Sequence, residues 1–498
     1  MPRRDSTRAI QTARPASLGL WALLLVASPC YAERPELIIS EETTVFLGPV
    51  RDDGTIDYVA AWNAKFSRGV TPENNAAAAL FKLMRRPLES QAFDRRLAAM
   101  LGVDPGMDRL AITPWPSHPE AETQFEKSQQ GPWQADDLPL VDQWLRANGE
   151  GLDALAAAVR RPRCWWPVVA AEGERATLFN ALYPQWSESR FLARSLLMRG
   201  LHRVNTGDLD GAISDFQSLQ ALGRHAGREP LALPRLVDFS IQHIALPLAE
   251  HILVHPELTR EQAARLRDGL LPLRTPEYAS EVLRVGERLW MLDGMLAEFN
   301  GHSVDGEELS RRHRINFRSP SFDINEALRY TSGWYLEWAG HQPTNIGQAQ
   351  ALSEAIEARY DALPDFPQTA DTPEQRQVFF TRWVVDRFWL HYTLGLTPVH
   401  ISLQMDNGHA VRLRVAAALA LHRIDHQRYP QTLRALVPDY LEALPTDRYD
   451  GRPLTYEPGE DGKTYLLYSV GPDGEDDGGL DDVSDGDRVI GDPVPDPR

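Results

Sequence analysis

Along most of the chain, apolar residues recur three and four positions apart, the spacing of a helix that buries one face. Residues 280–299 repeat Val282, Val285, Leu289, Leu292 and Leu296 in this way. At 259–271 a capping box, Thr259 with Gln262, opens a segment that puts Ala263, Leu266 and Leu270 on one face. Thr71 as N-cap and Pro72 at the first helical position predict a helix over 71–84. Segments of this kind, joined by turns bearing proline and glycine, continue to residue 400. Pro398 and Asp406-Asn407-Gly408 then break the pattern, which predicts a boundary within 397–408. Beyond it an alanine-rich helix at 410–425 ends at Arg428-Tyr429-Pro430, and a short helix passes through Leu433, Leu436 and Val437. PLTYEP (453–458) and TYLLYSV (464–470) read as strands joined by a hairpin at Asp461-Gly462. The pattern predicts a mainly α protein, with a large helical body at 33–400 and a small C-terminal α+β domain at 405–498.

Two features refine this picture. Val411, Leu413, Val415, Ala416, Leu419, Ala420, Leu421 and Ile424 cover more than one stripe of their helix, so it needs partners on two sides. One side fits its own sheet and the other the helical body. Residues 196–222 resemble a tetratricopeptide repeat, with Gly200, Ala212 and Phe216 at the matching spacing and Gly207-Asp208 at the turn. At least three copies are needed for a solenoid, and no second copy is evident. A generic helical hairpin is preferred.

The first residues predict export. Arg3, Arg4, Arg8 and Arg14 form a basic stretch, 18–27 is apolar, and Ala32 ends a small-residue cleavage site. Ten apolar residues are too few to span a bilayer as a helix. Cleavage after Ala32 would define 1–32 as a signal peptide and place the mature protein outside the cytoplasm, in the periplasm or secreted. Lipid attachment at Cys30 is the rival, and Ala27 and Pro29 suit it poorly. The mean hydropathy of −0.38 and the lack of another long apolar run predict no transmembrane segment in the mature chain.

Charge and cysteine content narrow the function classes. The net charge of −18, with thirteen acids against three bases from Glu457 onward, disfavours nucleic-acid partners. Cys164 alone remains beyond Cys30, so the mature chain has no internal disulfide, and its apolar surroundings predict a buried, inert thiol. The body carries no HExxH, GxSxG, phosphate-binding glycine loop or paired CxxC. His422 and His426, four apart on a helix, lack a third ligand nearby, and a solvated helical face is preferred over a metal site. Trp165, Trp166, Trp334 and Trp338 suit core positions better than a sugar- or peptide-binding groove.

The most specific signal lies at the C-terminus. The order HRIDHQRYP, then LRALVPDYLEALPTDRYDGRPLTY, then LLYSVGPDGEDDGG followed by paired aspartates resembles the globular domain of the type II secretion major pseudopilin, over residues 410–483. It also resembles exported bacterial proteins that fuse such a tail to a long helical body. The long N-terminal assembly helix of a pseudopilin is absent, so the resemblance implies a fold and an ion site, without filament assembly. The corresponding pseudopilin loop binds calcium. The resemblance therefore implies a structural calcium site with Asp473, Asp476, Asp481 and Asp482 as ligands and backbone carbonyls completing the shell. An EF-hand does not fit, because counting from Asp473 the twelfth residue is Ser484 instead of Glu. The alternative is a solvated acidic tail, which suits 483–498. Two functions stay open. A non-catalytic scaffold or binding protein with an envelope or secreted protein partner is favoured by the missing catalytic motifs. The other is an extracytoplasmic hydrolase of envelope or extracellular polymers, whose carboxylates come from separated helices.

Overall fold

The computed structural model describes residues 36–492, apart from 85–86, 105–111, 171–174, 303–318, 320, 363–371, 393–396, 472–475, 477 and 480–487. The protein is mainly helical. In chain order its helices are α1 Tyr58–Phe66, α2 Ala76–Leu83, α3 Gln91–Leu101, α4 Pro119–Lys127, α5 Pro139–Ala147, α6 Gly149–Ala158, α7 Gln185–Asn205, α8 Leu209–Ala226, α9 Ala232–Val254 and α10 Arg260–Gly269. There follow α11 Glu277–Glu281, a π-helical stretch Val282–Glu287, α12 Arg288–Phe299, α13 Ile324–Ala339, α14 Ile346–Asp361, α15 Pro373–Tyr392 and α16 Thr397–His426. Two short strands, β1 Val169–Ala170 and β2 Ala181–Leu182, pair between α6 and α7. The C-terminus forms an antiparallel sheet in the order β3 Thr455–Pro458, β4 Tyr465–Ser469, β5 Arg488–Asp492. Among the described residues, no helix is long and apolar enough to cross a membrane.

The apolar residues gather into two cores. The first joins α2, α3 and α5–α10 to residues 411–421 of α16 and to Tyr465 and Leu467 of β4. Ala416 through Leu419 are fully buried, so α16 has partners on both sides as its girth requires. The second core gathers α1, α11–α15 and the start of α16, with Trp334 and Trp338 buried in it. Helices α9 and α16 contribute to both: Phe239 and Leu403 lie in the second core, Ile241 and Val411 in the first.

The local rules hold at some positions and yield to packing at others. The Thr259–Gln262 capping box is present at α10. The hairpin α7–α8 forms, turning at Gly207 with Asp208 accepting from the Gly211 N–H. Gly200, however, lies against Leu248 of α9, so its small size serves a third helix. Helix α2 starts at Ala76, later than Thr71 predicts. Asn75 is its cap and also holds the backbone of Trp165 through both side-chain atoms, at 2.9 and 3.0 Å. The interruption expected at 397–408 does not occur, because α16 runs unbroken through Asp406-Asn407-Gly408. Pro398 sits in its first turn, where a missing N–H costs nothing. In the C-terminal part, β3 and β4 pair as expected, with Asp461 accepting from Lys463 N and Gly462 at φ 66°. A solvated tail suits the composition of 483–498, yet residues 488–492 pair with β4 as β5. Tyr465 through Ser469 therefore form the central strand.

The expected continuous α-helix over 280–299 contains the π-helical stretch instead. Gly286 explains it. A Cβ at this position would lie 1.7 Å from the Pro230 carbonyl oxygen, so the turn before α9 passes directly over the glycine. Backbone cannot yield as a side-chain tip can. Gly286→Ala is expected to destabilise the protein by about 3 kcal/mol, the upper range for overpacking, read by urea denaturation. An alanine variant of unchanged midpoint would show that the Pro230 carbonyl does not crowd this position.

Candidate functional site

Of the four aspartates implied as calcium ligands, only Asp476 is described; Asp473, Asp481 and Asp482 lie outside the described residues. Asp476 is exposed at the end of β4, where its Oδ1 accepts from the Tyr468 hydroxyl at 3.0 Å and the Gly478 N–H at 3.1 Å. Gly478 and Gly479 take φ of 72° and 76°, a turn that side chains resist. One oriented carboxylate beside a sharp turn fits a hard cation's demand for oxygen ligands. Among the described residues, no group of three or more histidine, cysteine or acidic side chains is placed to hold a metal. Nearby, buried Asp447 accepts from Ser469 Oγ at 2.8 Å and Val470 N at 3.1 Å, fixing the strand end from which the loop departs.

A second arrangement, built from residues far apart in sequence, lies where the two cores meet. Asp238 of α9 is completely buried. Its carboxylate accepts from Arg274 Nη2 at 2.8 and 2.7 Å, from the Tyr278 hydroxyl at 2.6 Å and from Gln242 Nε2 at 3.0 Å. Arg274 Nη1 pairs with Asp406 of α16. Asn407 accepts from the Arg274 N–H and donates to its carbonyl, both at 2.9 Å. Arg235 lies 3.5 Å above the centre of the Tyr278 ring and pairs with Glu281 at 2.9 Å. Space for this cluster comes from α8, where a Cβ on Gly223 would meet Gln242 and Asp238, and one on Gly227 would meet Asp238 and Tyr278. Burial pushes the Asp406 carboxyl up to about 7; Arg274 opposes the shift and Asp238 reinforces it.

Arg235, Arg274, Tyr278 and Glu281 of this cluster floor a cleft of about 720 Å³, within the size range of small-ligand sites, with Asp238 and Asp406 behind them. Its walls are the end of α6, the last turns of α8, the 272–275 segment and α11. Arg161, Arg224 and Arg228 stand on its rim, and among the described residues none of them has a carboxylate within ion-pair distance. Arg161 is held by the carbonyls of Pro72 at 2.8 Å and Asn75 at 3.0 Å, which orient it without cancelling its charge. His225 bonds the Val159 carbonyl at 2.8 Å, and burial lowers its pKa, so it adds no cation near neutrality. The sequence offered no spacing for this site; its residues come from five segments.

Several other candidates find structural roles. Cys164 is buried, and burial pushes its thiol up to about 12, as an inert thiol should behave. His422 is buried rather than solvated, and its Nδ1 lies 3.0 Å from the Arg428 carbonyl. Trp166, Trp334 and Trp338 are core residues. Three buried carboxyls that sequence reasoning missed, Glu229, Glu287 and Asp293, add to the burial that raises the Tyr183 hydroxyl's pKa. Burial pushes Glu287 and Asp293 up to about 7 and Glu229 up to about 8. Asp293 accepts from Leu178 N at 2.6 Å and Glu287 from Ala232 N at 2.8 Å. None of the three lines the cleft. Comparison of the chain with protein-family models, curated proteins and solved structures finds no match.

The three carboxyls set an unusual pH dependence. Their folded pKa values are raised, so the stability they contribute is fully present below the ordinary carboxylate range and is lost as pH rises through about 7 to 8. The melting temperature is expected to fall between about pH 5 and about pH 9. Glu229→Gln should match the parent at the acid end and exceed it at the alkaline end. Parallel pH profiles for the two proteins would show that Glu229 does not titrate in this range.

Proposed function

We propose that the protein is an exported, non-catalytic scaffold or binding protein of the cell envelope whose cleft over Arg274 and Tyr278 binds an envelope component. One observation carries this reading. The acids and bases at and behind the cleft floor are spent on one another, with Asp238, behind it, saturated by three side chains and Arg235 and Arg274 each facing a carboxylate. A general acid or base needs a proton it can exchange with a reactant. The floor instead offers fixed, mutually neutralised charge beneath a cationic rim, which is the equipment of a binding site. The hydrolase reading calls for a carboxylate pair facing an aromatic-lined cleft; Glu229, Glu287 and Asp293 lie elsewhere. Export rests on the basic, apolar and small-residue order of residues 1–32.

The mature protein is therefore expected to begin at Glu33 by N-terminal sequencing. Used as bait in envelope extracts, it should retain a component that the double variant Arg224→Ala, Arg228→Ala does not. Identical retained sets from bait and variant would remove the cleft from the function.

In the same reading, the C-terminal sheet with α16 is a pseudopilin-like module whose acidic loop holds a structural calcium. Asp476, anchored to β4 through Tyr468, would present one carboxylate, and Asp473, Asp481 and Asp482 supply the charge that a hard cation needs. Because the folded loop binds the ion and the unfolded chain does not, calcium at a hundred times its dissociation constant should stabilise the protein by about 2.7 kcal/mol. Magnesium should substitute poorly, since it demands a tighter octahedral shell. Asp481→Ala should abolish the calcium response in calorimetry. An equal response in that variant leaves the loop as solvated charge.

A further inference from the structure

From the charge and shape of the cleft we infer that it binds a small, multiply charged oxyanion, a ligand carrying at least two carboxylate or phosphate groups. The inference rests on the reading of the cleft as a binding site and names the ligand class. Acids outnumber Lys and Arg in this chain by 70 to 52, so three rim arginines with no carboxylate partner among the described residues are a local reversal of sign. Arg224 lies in the last turn of α8 and Arg228 just beyond it, while Arg161 follows the end of α6. Arginines in the last turn of a helix complement its dipole, which accounts for Arg224 alone. Arg161 and Arg228 both lie outside a helix, and all three line the cleft.

The chemistry of the side chain narrows the ligand. A guanidinium offers a planar fork that matches carboxylate and phosphate oxygens two at a time, and it stays charged at any physiological pH. Three forks on two separate segments are best engaged by an anion with more than one such group. The carboxylates at and behind the floor are paired with other arginines, Glu281 with Arg235, and Asp238 and Asp406 with Arg274. Beneath the rim, Pro272, Leu273 and the Tyr278 ring supply an apolar wall for the ligand's carbon or ester framework. A volume of about 720 Å³ holds a small molecule and is too small for a folded domain.

Isothermal titration of the mature protein at physiological ionic strength tests this with citrate and inorganic tripolyphosphate as probes and acetate as a singly charged control. At least one polyanion should bind at a single site, with acetate far weaker; which of the two binds tighter identifies carboxylate or phosphate chemistry. Arg224→Ala and Arg228→Ala should each weaken binding about tenfold, the loss of one charge-assisted contact. Arg160→Ala, an exposed arginine outside the cleft that bonds Ser214 Oγ at 3.0 Å, should leave it unchanged. Absence of binding by both polyanions, or equal weakening by Arg160→Ala, overturns the assignment. A bait that still loses its envelope component in the Arg224, Arg228 double variant, while neither polyanion binds, would overturn the oxyanion class and leave the binding reading standing.

Discussion

The molecule depends on one buried guanidinium. Arg274 lies on the segment that leaves α10 in the first core and enters α11 in the second. It bonds Asp238 on α9 and Asp406 and Asn407 on α16, the two helices that belong to both cores. The two helices that cross from one core to the other are therefore tied together at this point. Apolar packing is non-directional and would tolerate a rotation or slip between the two bodies. A bidentate pair with a saturated carboxylate does not. Removing one partner of such a pair costs about 3–5 kcal/mol, because a buried charge is left uncompensated, whereas a wholly apolar replacement can be as stable. The clasp is thus better understood as setting register than as adding stability.

That role changes the meaning of residues that read as breakers. Asp406, Asn407 and Gly408 resemble a turn, since Asp and Asn normally compete with helix by bonding local backbone. Here their side chains are occupied by Arg274, 132 and 133 residues away, and the competition disappears. Asn75 shows the same inversion: its long-range bonds to Trp165 move the start of α2 past a serviceable Thr-Pro signal. The features legible in the sequence were those set by neighbours in the chain, such as the Thr259 capping box, the Asp461-Gly462 hairpin and the broad apolar girth of α16. Those that escaped were set from afar. Nothing around Gly286 announces the Pro230 carbonyl, and the sheet partner of Arg488–Asp492 lies across an acidic loop that masks a short Arg-Val-Ile strand.

The site divides in the same way. The acidic loop was visible because its residues are contiguous, and composition alone reports them. The cleft was invisible because Arg161, Arg224, Arg228, Arg235 and Arg274 are scattered over more than a hundred residues and each is unremarkable in its local segment. What marks them is partnership. Arg235 and Arg274 have lost their free charge to Glu281, Asp238 and Asp406, while the rim arginines have kept theirs, and only coordinates reveal the difference.

The contrast between rim and whole chain has a kinetic consequence. A net charge of −18 repels anions at long range, but at physiological ionic strength the field decays over about 8 Å. An anion must therefore approach closely before the cleft attracts it, and the rest of the surface does not hold it on the way. Steered association is given up, and selectivity is gained, since the favourable potential at the site is the local one made by the guanidinium groups at the mouth of the cleft. The clasp enters here as well. By pairing Asp238 and Asp406 it prevents them from cancelling the rim. With its charges drawn from separate segments of the fold, the rim favours ligands whose own oxyanions are spaced to reach more than one guanidinium.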